Sequence, residues 1–243
     1  MGIVNVTPDS FSDGGHFSLT GEAMAHAERL LRDGADLLDI GGESTRPGAR
    51  KPDDAEELAR VLPVLRHVVT LGVPVSVDTS SPSVIRAALD LGVDIVNDVR
   101  ALQREGALAA VAAHPGVGVC LMHMRGEPGS MQDLAVYQDV VAEVVDFLRA
   151  RLEAAEAAGI ARRRVALDPG IGFAKTAEHN WTLLVRQSEL LALDNPLVVG
   201  WSRKSSLGAL TGRPVGERMA ASVAAALAAV HLGAHVVRVH DVA

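Results

Sequence analysis

The chain has 243 residues, is 48% hydrophobic and carries a formal net charge of −7. That length can bury one large core, and the acidic balance argues against a general nucleic-acid binder. No apolar run reaches the roughly 18 residues of a membrane span, and Met1-Gly2-Ile3-Val4-Asn5 lacks the basic and apolar regions of a secretory signal.

In chain order, the pattern predicts a strand near 2–6, a helix near 20–33, and a strand near 36–41. A helix near 53–71, a strand near 73–78, a helix near 82–91 and a strand near 94–98 follow. Next come a helix near 104–113, a strand near 117–122, a helix near 136–158 and a strand near 164–168. The last are a helix near 177–192, a strand near 196–200, a helix near 215–232 and a strand near 235–239. The runs rich in Val, Ile and Leu read as parallel strands buried on both faces. Helix–Gly–strand phrases recur at Gly34, Gly92 and Gly233, where glycine suits a helix C-cap.

Strands alternating with helices at this length predict α/β architecture, a (β/α)8 TIM barrel forming one domain over 1–243. A doubly wound sheet is the competing topology, but Asn5-Val6-Thr7-Pro8-Asp9 is not the Gly-rich phosphate loop it requires. No final helix is read after the eighth strand. The groove there is therefore expected to be covered by a neighbouring chain or by residues trimmed from this one, and a chain extended at that end is expected to be more stable.

A barrel keeps its chemistry at the C-terminal ends of its strands, and the residues there are polar. Asn5 ends the first run, Asp78 the third, Asn97 the fourth and Asp168 the sixth. Ser202 and Lys204 follow the seventh, and Arg238 and His240 end the eighth. Asp78, Asn97 and Asp168 suit a planar heterocycle with amino and ring N–H donors, because ionised carboxylates only accept hydrogen bonds. The carboxylates could instead hold a divalent metal or cap the next helix. Lys204 suits an anion, a Schiff base or plain solvation. Arg238 and His240, two residues apart, would share one face of a strand and could clamp a diphosphate and its metal together with Arg46 and Asn5, though a histidine at a strand end is often only packed. Three long polar loops, Asn5 to His16, Gly41 to Lys51 and His123 to Gln132, follow strands and read as functional. Cys120, the only cysteine, lies in an apolar run and reads as a buried packing residue.

Taken in order, these segments resemble the dihydropteroate synthase family. Its first signature is matched by Asn5-Val6-Thr7-Pro8-Asp9-Ser10-Phe11-Ser12-Asp13-Gly14-Gly15. Its second is matched by Asp39-Ile40-Gly41-Gly42-Glu43-Ser44-Thr45-Arg46-Pro47-Gly48. The match continues through Val77-Asp78-Thr79, Asn97-Asp98, Leu121-Met122-His123-Met124 and Leu167-Asp168-Pro169-Gly170-Ile171-Gly172-Phe173. It ends with Ser202-Arg203-Lys204 and Arg238-Val239-His240-Asp241.

The bulk features read as cytoplasmic, and the resemblance implies a transferase of folate biosynthesis that is the sulfonamide target. It joins 6-hydroxymethyl-7,8-dihydropterin diphosphate to 4-aminobenzoate, giving 7,8-dihydropteroate and diphosphate. The family is usually homodimeric and assisted by Mg2+. By resemblance, Asp78, Asn97, Met122, Asp168 and Lys204 hold the pterin. Asn5, Arg238 and His240 serve the diphosphate and Mg2+. Thr45, Arg46, Pro47, Phe173 and Ser202 face the aminobenzoate. The catalytic set is Asp78, Lys204, Arg238 and His240, with Asp78 stabilising a cationic transition state. Ser205-Ser206 stands where many relatives carry a bulkier residue. Competing functions are a Schiff-base aldolase on Lys204, a methyltetrahydrofolate-dependent methyltransferase and an inert pterin-binding paralogue.

Overall fold

A computed structural model describes residues 1–7, 16–44 and 50–243, with the backbone alone at 16–18. Among the described residues eight parallel strands alternate with helices. The strands are β1 (Gly2–Asn5), β2 (Leu38–Gly41), β3 (Val75–Asp78), β4 (Ile95–Asp98), β5 (Gly118–Met122), β6 (Val165–Asp168), β7 (Val198–Val199) and β8 (Val236–Val237). The helices are α1 (His16–Arg32), α2 (Asp54–Val68), α3 (Pro82–Asp90), α4 (Ala107–Ala112), α5 (Val140–Ala157), α6 (Ala177–Val185), α7 (Gln187–Leu191), α8 (Ser205–Thr211) and α9 (Met219–His231).

Strands β1 to β6 pair in sequence order and β7 pairs with β8. Single parallel bridges join the two sheets, Leu167 with Leu197 and Gly2 with Val239. At the last seam Ile3 N–H donates to Val239 O at 2.9 Å and Val239 N–H donates to Met1 O at 3.0 Å. These bonds close the ring, which decides for the barrel over an open doubly wound sheet. Among the described residues no helix follows β8.

Period-two alternation sorts the strand side chains. Val4, Leu38, Ile40, Val77, Val96, Leu121 and Leu167 belong to the apolar core shared with the helices. The alternate positions face the barrel axis and include Asp39 and Ser76, both fully buried. The interior is therefore partly polar, and that polarity rises into the site. Cys120 is buried and its thiol is pushed up by that burial, as expected of a packing residue.

Two of the expected helices are broken or shortened for a visible local reason. The single helix near 177–192 breaks at Arg186, whose backbone leaves the helical region at φ −97° and ψ 25°. The break turns Gln187 inward, where Nε2 donates to Ala229 O at 2.9 Å. The helix near 104–113 shrinks to α4 because Gly106 adopts φ +84°.

Candidate active site

Parallel pairing aligns the strand ends. Asn5 pairs with Gly41, Gly41 with Asp78 and Asp78 with Asn97, so Asn5, Asp78 and Asn97 share one row across β1, β3 and β4. Met122 pairs with Asp168 across β5 and β6. A cavity of about 610 Å³ opens over these ends. Asn5, Asp78, Asn97, Met122, Asp168, Phe173, Ser202, Lys204, Arg238 and His240 all line it. The structure thus brings together every described candidate. Thr45, Arg46 and Pro47 lie outside the described residues.

Arg238 organises one wall. Its Nε donates to Asp39 Oδ2 at 2.6 Å and its Nη2 to Asp78 Oδ2 at 2.8 Å. Asn97 Nδ2 donates to the same Asp39 oxygen at 3.1 Å. Burial raises Asp78 to about 8, because the one Arg238 guanidinium, shared with Asp39, does not fully offset it. Asp39 is the buried carboxylate behind this wall that the reading of strand ends does not reach. It sits mid-strand, two residues before Gly41, and its sequence signal is a charge inside the run Leu37 to Ile40. Its Oδ1 and Ser76 Oγ, neighbours across β2 and β3, are buried without a hydrogen-bond partner among the described residues.

Asp168 occupies the opposite side. Burial raises its carboxyl, opposed by Gly170 N–H, which donates to Oδ1 at 2.7 Å, and by the charges of Lys204, Arg238 and Lys175. Lys204 Nζ stands 4.2 Å from the centre of the Phe173 ring, a cation–π contact. Burial lowers its ammonium to about 8 despite Asp168. Gly172, at φ +82°, leaves the room for this side chain, since a Cβ there would meet Lys204 Cδ at 2.9 Å.

His240 backbone N–H donates to Ser202 Oγ at 3.1 Å, and Nδ1 lies 3.0 Å from the same oxygen. Burial, with Arg203, Arg238 and Lys204 nearby, pushes the imidazole down to about 4. It is neutral at pH 7, so Lys204 and Arg238 bring the positive charge. With Ser202 Oγ–H donating to Nδ1, the remaining Nε2–H is a hydrogen-bond donor.

The rim is braced by charge. Arg100, 6% exposed, donates Nη2 to Glu43 Oε1 at 2.8 Å and to Glu127 Oε2 at 2.6 Å, and Nη1 to Ser80 Oγ at 3.0 Å. It ties together the loops after β2, β3, β4 and β5.

A closed barrel with opposed carboxylates and cations over its strand ends defines an enzyme of the barrel class that takes a small polar molecule at the C-terminal face. The model of the pterin binding enzyme family matches residues 1–240. The dihydropteroate synthase of Neisseria meningitidis serogroup C is 55% identical over 246 residues, covering 100% of this chain and 87% of that relative. A structure of Xanthomonas albilineans dihydropteroate synthase with 4-aminobenzoic acid is similar at TM-score 0.94 and 53% identity, covering 100% of this chain and 87% of that one. Another, of the same enzyme with 7,8-dihydropteroate, is similar at TM-score 0.90 and 50% identity with the same coverage. The chain belongs to the pterin binding enzyme family.

Proposed function

We infer that this chain catalyses the dihydropteroate synthase reaction. It condenses 6-hydroxymethyl-7,8-dihydropterin diphosphate with 4-aminobenzoate to 7,8-dihydropteroate and diphosphate. One observation carries the reading. A single cavity presents acceptor carboxylates suited to ring N–H donors and cations suited to a diphosphate.

In this reading Asp168 and Asn97 receive the pterin ring, and Met122 packs on its face. Lys204 borders both the ring and Phe173. Arg238, held by Asp39 and Asp78, gives a positioned cation for the diphosphate, and His240 gives a neutral N–H donor. Phe173 and Ser202 face the amine, with Thr45, Arg46 and Pro47. The carbon that diphosphate leaves is conjugated to an electron-rich ring, so positive charge develops there. Asp78 stabilises that charge once ionised. The arylamine is uncharged at pH 7 and attacks without a strong base.

Mg2+ keeps several waters and takes one or two protein oxygens plus substrate phosphates. Among the described residues no group of three His, Cys, Asp or Glu forms a metal cage. That sparse donor set suits an ion arriving with the diphosphate, and the Asn5 side-chain oxygen would hold it. When bound, it would help neutralise the leaving group.

The domain is proposed to be one unit over 1–243, homodimeric, cytoplasmic and sulfonamide-sensitive. No helix among the described residues is long and apolar enough to cross a membrane. The deciding experiment mixes the chain with the pterin diphosphate, Mg2+ and 4-aminobenzoate. Diphosphate release that requires the amine is expected. Release unaffected by omitting the amine overturns the reading.

A further inference from the structure

Lys175 is 4% exposed and no step above uses it. Among the described residues its Nζ meets no carboxylate. It bonds His123 Nδ1 at 2.8 Å, Phe173 O at 3.0 Å and Gly170 O at 3.1 Å, with His123 O at 3.5 Å. A buried amine without an acidic partner is expensive and needs every hydrogen bond it can make. The contacts supply them in either charge state. An ammonium donates to Nδ1 and two carbonyls, whereas a neutral amine donates to the carbonyls and accepts from Nδ1–H.

Those carbonyls belong to the turn that shapes the cavity. Gly170 N–H holds Asp168 Oδ1 at 2.7 Å, and Phe173 N–H donates to Gly170 O at 3.0 Å. His123 N–H donates to Asp168 O at 2.9 Å. The Phe173 ring meets Lys204 at 4.2 Å. Tyr137 Oη–H, after β5, donates to Ala174 O at 2.9 Å. The turn therefore wraps around one nitrogen and is pinned to the loop after β5.

We propose that Lys175 is a positioning residue, its Nζ clasping His123 and the Gly170–Phe173 turn so that the Asp168 carboxylate is set to receive the pterin ring. Two effects reach Asp168 from it. One is geometric, through Gly170 N–H. The other is electrostatic: burial pulls the Lys175 ammonium well below the usual lysine range, and whenever it is protonated it joins Lys204, from the loop after β7, and Arg238, from the end of β8, in favouring the ionised carboxylate. His123, facing it from the loop after β5, is buried and pushed down to about 2, so it adds no charge.

The proposal rests on the reading that Asp168 receives the pterin. The test titrates 7,8-dihydropteroate into wild type, Lys175→Met, Asp168→Asn and the double variant from pH 5 to 9, with melting curves as fold controls. Lys175→Met is expected to weaken binding about tenfold at pH 7.5. It should also move the acid loss of binding to higher pH, because the charge that Lys175 takes up beside Asp168 as pH falls is gone. In the double variant the second substitution should add little to the first. Should Lys175→Met fail to fold, Lys175→Gln, which keeps two N–H donors but no charge, still reads the pH shift. Binding within twofold of wild type with an unmoved acid limb overturns the proposal, as do losses that multiply in the double variant. If Asp168→Asn itself binds like wild type, the Asp168 reading fails instead.

Discussion

Glu57, on α2, is 2% exposed and accepts a hydrogen bond from Thr79 Oγ1. Burial raises it from 4.5 to about 7, with Glu43 and Asp54 adding to the rise and the Thr79 bond opposing it. The folded chain thus holds this proton more tightly than the unfolded chain. Its stabilising contribution is full below about pH 4.5 and is lost as pH rises through about 7, roughly 3 kcal/mol in all. Glu57→Gln keeps an acceptor for Thr79 without the charge. It should melt several degrees above wild type at pH 8 and close to it at pH 4.5, and an equal shift at both pH values would refute the assignment. Asp78 differs because the proposed reaction uses its charge. Asp78→Asn retains an oxygen for Arg238 but cannot stabilise a cation. Its single-turnover rate should fall roughly 100-fold, about 3 kcal/mol, with pterin affinity changed less than tenfold. Equal losses in rate and affinity would sink the cation-stabilising role. Asp78 was legible in the sequence because it ends an apolar run. Asp39 was not, because its meaning depends on Arg238, 199 residues away, and no local pattern reports that pairing.

Among the elements, the strand ends were readable because a parallel ladder fixes which residues share a row, and the helix–Gly–strand phrases placed the strands. Loop conformation was harder to read, since it depends on contacts between loops. Gly170 shows this. It adopts φ +69°, and a Cβ there would lie 2.0 Å from His123 O. Nothing in Asp168-Pro169-Gly170 reveals that a carbonyl from another loop fills that space. Gly170→Ala combines an unfavourable positive φ with overlap against backbone, together roughly 2–4 kcal/mol. The variant should melt well below wild type, and where it folds it should bind 7,8-dihydropteroate weakly, because Gly170 N–H no longer sets Asp168. A variant matching wild type in both measurements would remove the turn from the site. The break at Arg186 has a similar origin. The sequence continues as a helix there, but Arg186 bonds Asp139 at 3.0 Å and Glu189 at 2.7 Å while Gln187 turns toward α9.

For the whole molecule, the closed ring leaves one helix poorly covered. Met219, Val223, Leu227 and Val230 on α9 are 44%, 57%, 56% and 48% exposed. Their spacing of four, four and three residues places them in one stripe. Leu210 on α8 and Val215 beyond it add apolar surface nearby at 69% and 58% exposure. A folded monomer rarely leaves such a contiguous patch in water. The homodimer proposed above would bury it as a symmetric interface, the same stripe on each copy. Charges placed in the stripe's centre would then face each other across the two-fold axis. Val223→Glu with Leu227→Glu should convert a dimer to a monomer in sedimentation equilibrium, while far-ultraviolet circular dichroism stays unchanged. The cavity, built from strand ends in one chain, should keep its 7,8-dihydropteroate affinity in the monomer. A wild-type monomer at micromolar concentration, or a dimer that survives both substitutions, would place the association elsewhere or remove it.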